Sequence, residues 1–236
     1  MLAHCVREGE KLARGKMVKK KEKKPLSSTT KFLIFAGILV ILFLGLVIVP
    51  KLIAKAKINK YKYNNFEFVK DEDGFWITVV QKEDQPYYIP FYYHPLELED
   101  IPVEKDLRAK FFEIRDNNGS IFITLDPDSE SNKIVIAGVE ISRITGGRYD
   151  LLNVPTRSAF IKPPTEIASE TNIPIITCMH ASDKTMVIWL TLSDINIAYS
   201  NGYCVILEAK TYDDMIRVAD RLMFHLLGIM DLENKV

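Results

Sequence analysis

Asp126, Asp128 and Glu130 stand at alternate positions in the segment LDPDSESN, and three carboxylates in one loop offer the hard oxygen ligands that suit calcium. A helix-loop-helix calcium site needs glycine at the sixth loop position and a carboxylate at the twelfth, where this chain has Ser131 and Ala137. The competing reading is a solvated capping loop, with its acidic groups at the amino end of the following helix, where the dipole favours them. Asp126 and Asp128, taken with Glu140, are also the carboxylates a hydrolase could use for acid–base chemistry.

His94, His180 and Asp183, with Ser182 or Thr185 as nucleophile, supply the residue types of a hydrolytic triad. Geometry defines such a triad, and neither a G-x-S-x-G elbow nor an H-E-x-x-H helix accompanies them. His225, between Phe224 and Leu226, reads as a packing or surface residue. Gly146-Gly147-Arg148 reads as a helix stop rather than a phosphate loop.

The chain has three cysteines, Cys5, Cys178 and Cys204. Two readings stand: a Cys178–Cys204 disulfide, or Cys178-x-His180 as a metal-binding or nucleophilic pair. Two ligands without another His or Cys nearby make a poor metal site, which favours the bridge. Asn118-Gly119-Ser120 is a glycosylation sequon in a turn, where an acceptor is accessible.

The elements that must position these residues begin with the apolar run 32–49, FLIFAGILVILFLGLVIV. Its 18 residues span about 27 Å as a helix, close to the hydrocarbon thickness of a bilayer. The expected organisation is a basic cytoplasmic tail (1–31), a transmembrane signal anchor (32–54), a linker or helix extension (55–63) and an extracytoplasmic α/β domain (64–236). Polar SSTT at 27–30 caps the helix, and Pro50 falls in its last turns. Ala54-Lys55-Ala56 loosely imitates a signal cleavage site, but the apolar run and the segment before it are long for a signal peptide. Met17 begins MVKKKEKKPLSS and reads as an alternative start.

A formal net charge of zero conceals a strong polarity. Residues 1–62 carry 15 Lys+Arg against 3 Asp+Glu, leaving 16 basic and 28 acidic residues in the remainder. Basic flanks stay cytoplasmic, so the amino terminus is expected inside and the acidic bulk outside. An acidic domain disfavours nucleic acid, whereas the lysine block at 19–24 could touch anionic lipid.

Beyond the anchor, FEFVKDEDGFWITVV predicts a juxtamembrane aromatic β-hairpin about an Asp-Gly turn, its aromatics serving cross-strand packing or a surface for glycans or lipid headgroups. Pro86, Pro90 and Pro95 predict an extended stretch lying outside any sheet. Val103, Leu107, Phe111 and Ile114 predict a short helix, IFITL a strand, and Ile134, Ala137, Gly138, Ile141 and Ile144 a second helix. IPIIT, MVIWLTL and YCVILEA predict interior strands. Thr211 predicts an N-cap, with Asp214 three residues on and Gly228 ending the last helix. Strand followed by amphipathic helix, twice over, predicts an α/β fold: a mixed sheet with helices on its faces.

The segments IPFYYHPLELEDIPV, IFITLDPD, IVIAGVEISRITG and CVILEAKTYDDMIRVADRLMFHLLGI resemble archaeal single-span membrane proteins with an extracytoplasmic domain, over most of residues 61–231. The resemblance implies placement and fold without an activity, and it implies that Cys178 and Cys204 form the cysteine pair flanking the VIWL strand. The final strand and helix are similar to a unit of archaeal surface-layer proteins, although Ala209-Lys210 stands where those have glycine. Together these features lead to an expected envelope or surface interaction module with a protein or glycan partner, the alternative being a membrane-anchored hydrolase of envelope polymers. No cofactor is expected apart from calcium at the 126–130 loop.

Overall fold

The computed structural model describes residues 28–56, 60–165 and 172–230. The tail 1–27, with Cys5, the lysine block, Ser27 and the alternative start, lies outside them. The chain divides into two compact units, Met1–Lys57 and Ile58–Val236.

The first unit holds helix α1 (Ser28–Ala56), 29 residues long and continuous through position 50. Side chains are described only at 29 and 32–46, and those of the apolar residues between them are largely exposed. Among the described residues, no helix is long and apolar enough to cross a membrane.

The second unit starts earlier than expected. Residues 60–63 are not linker but strand β1 (Lys60–Tyr63), which opens an antiparallel sheet with β2 (Phe66–Lys70), β3 (Trp76–Lys82) and β4 (Gln85–Phe91) in sequence order. The predicted hairpin is β2–β3, turned by Asp71, whose carboxylate accepts from Phe75 N–H at 2.7 Å, and by Gly74 at φ +92°. Pro86 and Pro90 lie inside the sheet after all. They belong to edge strand β4 and sit on the same phase of its pleat, so both missing N–H groups fall on one side, where the open edge loses no ladder bond.

The mixed sheet contains β5 (Ser120–Leu125), β6 (Thr156–Phe160), β7 (Thr185–Leu192), β8 (Ile197–Asn201) and β9 (Cys204–Ala209) in spatial order β6-β5-β7-β9-β8. All pairs are parallel except β8–β9. Helices α2 (Leu107–Asp116), α3 (Lys133–Thr145) and α4 (Tyr212–Leu226) form one layer, with α3 and α4 side by side and α4 against β9. Thr211 caps α4 as predicted, its Oγ1 accepting from Asp214 N–H at 3.1 Å, and Gly228 follows it at φ +70°.

Helices cover one face of the mixed sheet rather than both, because the four-stranded sheet roofs them. Phe68 and Phe91 of that sheet meet Phe224 of α4 at ring distances of 5.8 and 4.2 Å. A single core therefore runs from the first sheet through the helices to Ile121, Ile188 and Leu207 of the second. Sandwiched between two sheets, α4 is buried from Met215 to Leu226 on nearly all sides. At the far end of the chain, Asn64 Nδ2 donates to Ile229 O at 2.7 Å.

The other face of the mixed sheet is covered by irregular chain. IPIIT is not a strand: it contributes one bridge, Ile175 to Phe160, and runs on into a 3-10 turn at Cys178–His180. Ile176 and Cys178 pack there on Val187, Trp189 and Ile206, and Thr124 Oγ1 donates to Ile176 O at 2.7 Å. Cys178 and Cys204 are joined in a disulfide, their α-carbons 5.2 Å apart.

Candidate functional site

Leu125 of β5 and Phe160 of β6 are register partners in parallel strands, so the residues just beyond each strand end are brought together. Lys162 Nζ lies 3.0 Å from Asp126 Oδ2 and 3.1 Å from Asp128 Oδ2. Asp126 Oδ1 also accepts from Asp128 N–H at 2.9 Å, closing a tight turn ahead of α3. Thr165 donates to Asp128 twice, from its N–H at 2.8 Å and its hydroxyl at 2.5 Å.

These bonds decide what the pair can do. Hydrogen bonds from Thr165, then Lys162, hold the Asp128 pKa down to about 2. Asp126 and Asp128 in turn raise that of Lys162. Asp128 is fixed as a weak base and Lys162 as an ammonium, so neither is tuned for proton transfer near neutrality. The ammonium also stands between the two carboxylates that a calcium ion would need. Among the described residues, no group of three His, Cys, Asp or Glu side chains is placed to hold a metal. Glu130 enters through its backbone, with N–H donating to Tyr212 Oη at 3.2 Å. Beside these groups, a cleft of about 350 Å³ is lined by Asp128, Ile134, Trp189, Thr191 and Tyr212. It opens at the carboxyl ends of the parallel strands, where α/β sheets commonly receive ligands.

The remaining candidates are dispersed. Glu140 lies on α3 and pairs with Arg143, whose Nη2 donates to Pro90 O at 3.1 Å. His94 is buried under the first sheet, between Trp76 and Phe68 at ring distances of 4.8 and 5.0 Å. There its Nδ1 accepts from Leu96 N–H at 3.3 Å, and burial lowers its pKa. His180 is on the far face of the mixed sheet, its Nδ1 held by Thr177 at 3.1 Å. Ser182 and Thr185 bond each other's backbone in a turn. His94 thus lies in a different layer from His180, Ser182, Asp183 and Thr185, which follow one another in the turn leading into β7. His225 is a packing residue on α4, Nε2 at 3.3 Å from Lys105 O. Asn118 is exposed at φ +53° just after α2, and Ser120 of its sequon begins β5.

Asp220 escapes the sequence reading altogether, lying off the apolar stripe of α4 and looking like a solvent-facing residue. In the structure it is fully buried. Its Oδ2 accepts from the N–H groups of Tyr92 and Tyr93 at 2.9 and 3.0 Å, as the chain leaves β4. Its Oδ1 has no hydrogen-bond partner among the described residues, and Arg143 contributes a favourable charge. Desolvation raises its pKa to about 7.

No protein-family model, curated protein or solved structure matches this chain.

Proposed function

We propose that this is a single-pass membrane protein with its amino terminus in the cytoplasm and its α/β domain outside, serving as an interaction module for an envelope protein or glycan. The observation that carries the reading is the bridged Cys178–Cys204 pair, since disulfides persist chiefly in oxidising compartments. Further support comes from the helical backbone of α1 over the whole run 32–49 and from the charge step across it. The resemblance to archaeal single-span proteins agrees with this placement.

The test is topological. Protease added to right-side-out cells should release the α/β domain with Cys178 and Cys204 still joined, while an amino-terminal tag stays protected. A digested tag with a protected carboxy-terminal domain would reverse the assignment.

A further inference from the structure

The four-stranded sheet buries only one of its faces. Side chains alternate across a strand, and the inward set, with Trp76 at 9 % and Thr78 at 1 % exposure, packs into the core. The outward set includes Val69, Ile77, Val79 and Tyr88, contiguous because Val69 pairs with Ile77 and Val79 with Tyr88. Val79 is 43 % exposed and Tyr88 67 % exposed. Along the β1 edge of this apolar strip stand the exposed Lys60 and Lys62, with the exposed Glu67 beside them and ion-paired to Lys60 at 3.4 Å.

Covalent reach limits what this face can meet. Only residues 57–59 separate Ala56 at the end of α1 from Lys60 at the start of β1, allowing at most about 14 Å between them at about 3.6 Å per residue. Where the run 32–49 spans a bilayer, the seven further residues of α1 and this short connection keep β1 within about 25 Å of the hydrocarbon. An apolar strip with an exposed tyrosine and flanking lysines has the composition of membrane–water interfaces.

We propose that the outward face of the β1–β4 sheet docks on the surface of the bilayer that holds α1, with Val79 and Tyr88 inserted at headgroup level. This rests on the membrane-anchored reading above. Attraction to the lipid is apolar rather than electrostatic, because the turns closing the sheet at 71–73 and 83–84 are acidic and offset the lysines. Zwitterionic lipid is therefore sufficient.

The experiment uses the full chain in phosphatidylcholine vesicles, in a Cys5→Ser background carrying Val79→Cys, Tyr88→Cys or, as a control at the end of α2, Asp116→Cys. Each is labelled with an environment-sensitive fluorophore. Headgroup-nitroxide lipid should quench the probes at 79 and 88 at least threefold more strongly than the probe at 116. Replacing half the lipid with phosphatidylglycerol should change this less than twofold. Val79→Asp should abolish quenching at 88 without lowering the melting temperature. Probes at 79 and 88 that iodide reaches freely would overturn the proposal. So would probes shielded from iodide yet unquenched by the lipid, which would show a second copy or another protein covering the face. Retention in alkaline carbonate reports on the anchor independently. Protein retained with unquenched probes sinks only the docking; protein washed off the vesicles sinks the anchor and the docking with it.

Discussion

Asp220 is a charged residue type held where charge is unwelcome, and its use is structural. The chain leaving β4 presents two N–H groups toward α4, and one carboxylate oxygen satisfies both. Its pKa is raised from 3.8 to about 7, so the folded state binds this proton more tightly than the unfolded chain does. The stabilisation is fully present below about pH 4 and is lost as pH rises to about 7. Asp220→Asn keeps an oxygen that can accept from Tyr92 and Tyr93 but carries no charge. Denaturation midpoints should fall with rising pH in the native chain and more gently in the variant, which should be the more stable of the two at pH 8. Identical slopes would show that the buried group does not titrate in this range.

At the scale of elements, the Cys178–Cys204 bridge pins the irregular cover of the mixed sheet to the start of β9, closing a loop with a sequence separation of 26. Replacing either cysteine with serine should cost about 2 to 5 kcal/mol, the usual loss for a native bridge. Urea unfolding of the oxidised chain and the variant would measure it, and an unchanged midpoint would mean that the bridge adds nothing to the stability of the fold. Which elements can be read from sequence follows from burial. β7 and β9 are covered on both faces and show as almost continuous apolar runs; α3 declares itself by its stripe, and α4 by stripe and cap. β6 and β8, reading TRSAF and IAYSN, mix polar and apolar residues because each is an edge strand with sides open to solvent. IPIIT misleads because its apolar side chains pack on a sheet from above without joining its ladder. The 126–130 loop was legible as an acidic cluster, but Lys162 and Thr165 come from a different crossover. Only the register of β5 against β6 shows that they neutralise it.

At the scale of the whole molecule, the second unit is two sheets with a helix layer between them, and one core is continuous through all three. Such an arrangement has no internal seam along which it could open in steps. The unit Ile58–Val236, expressed alone with its disulfide formed, should unfold in a single thermal transition by both far-ultraviolet and near-ultraviolet circular dichroism. Separate transitions would make the first sheet an independent subdomain. The sequence reading missed this architecture because a helix buried on both sides still carries polar residues. Asp220 and Arg221 of α4 lie off its apolar stripe, yet both are buried, as is His225.

The bond from Asn64 to Ile229 ties the first turn of this unit to its last. In connectivity the fold is nearly a ring: a short bridge could join its two ends, and the chain could be opened instead at the exposed turn 83–84, with every sheet and helix contact left in place. The order in which these strands follow one another along the chain is thus less essential to the architecture than the neighbours they keep.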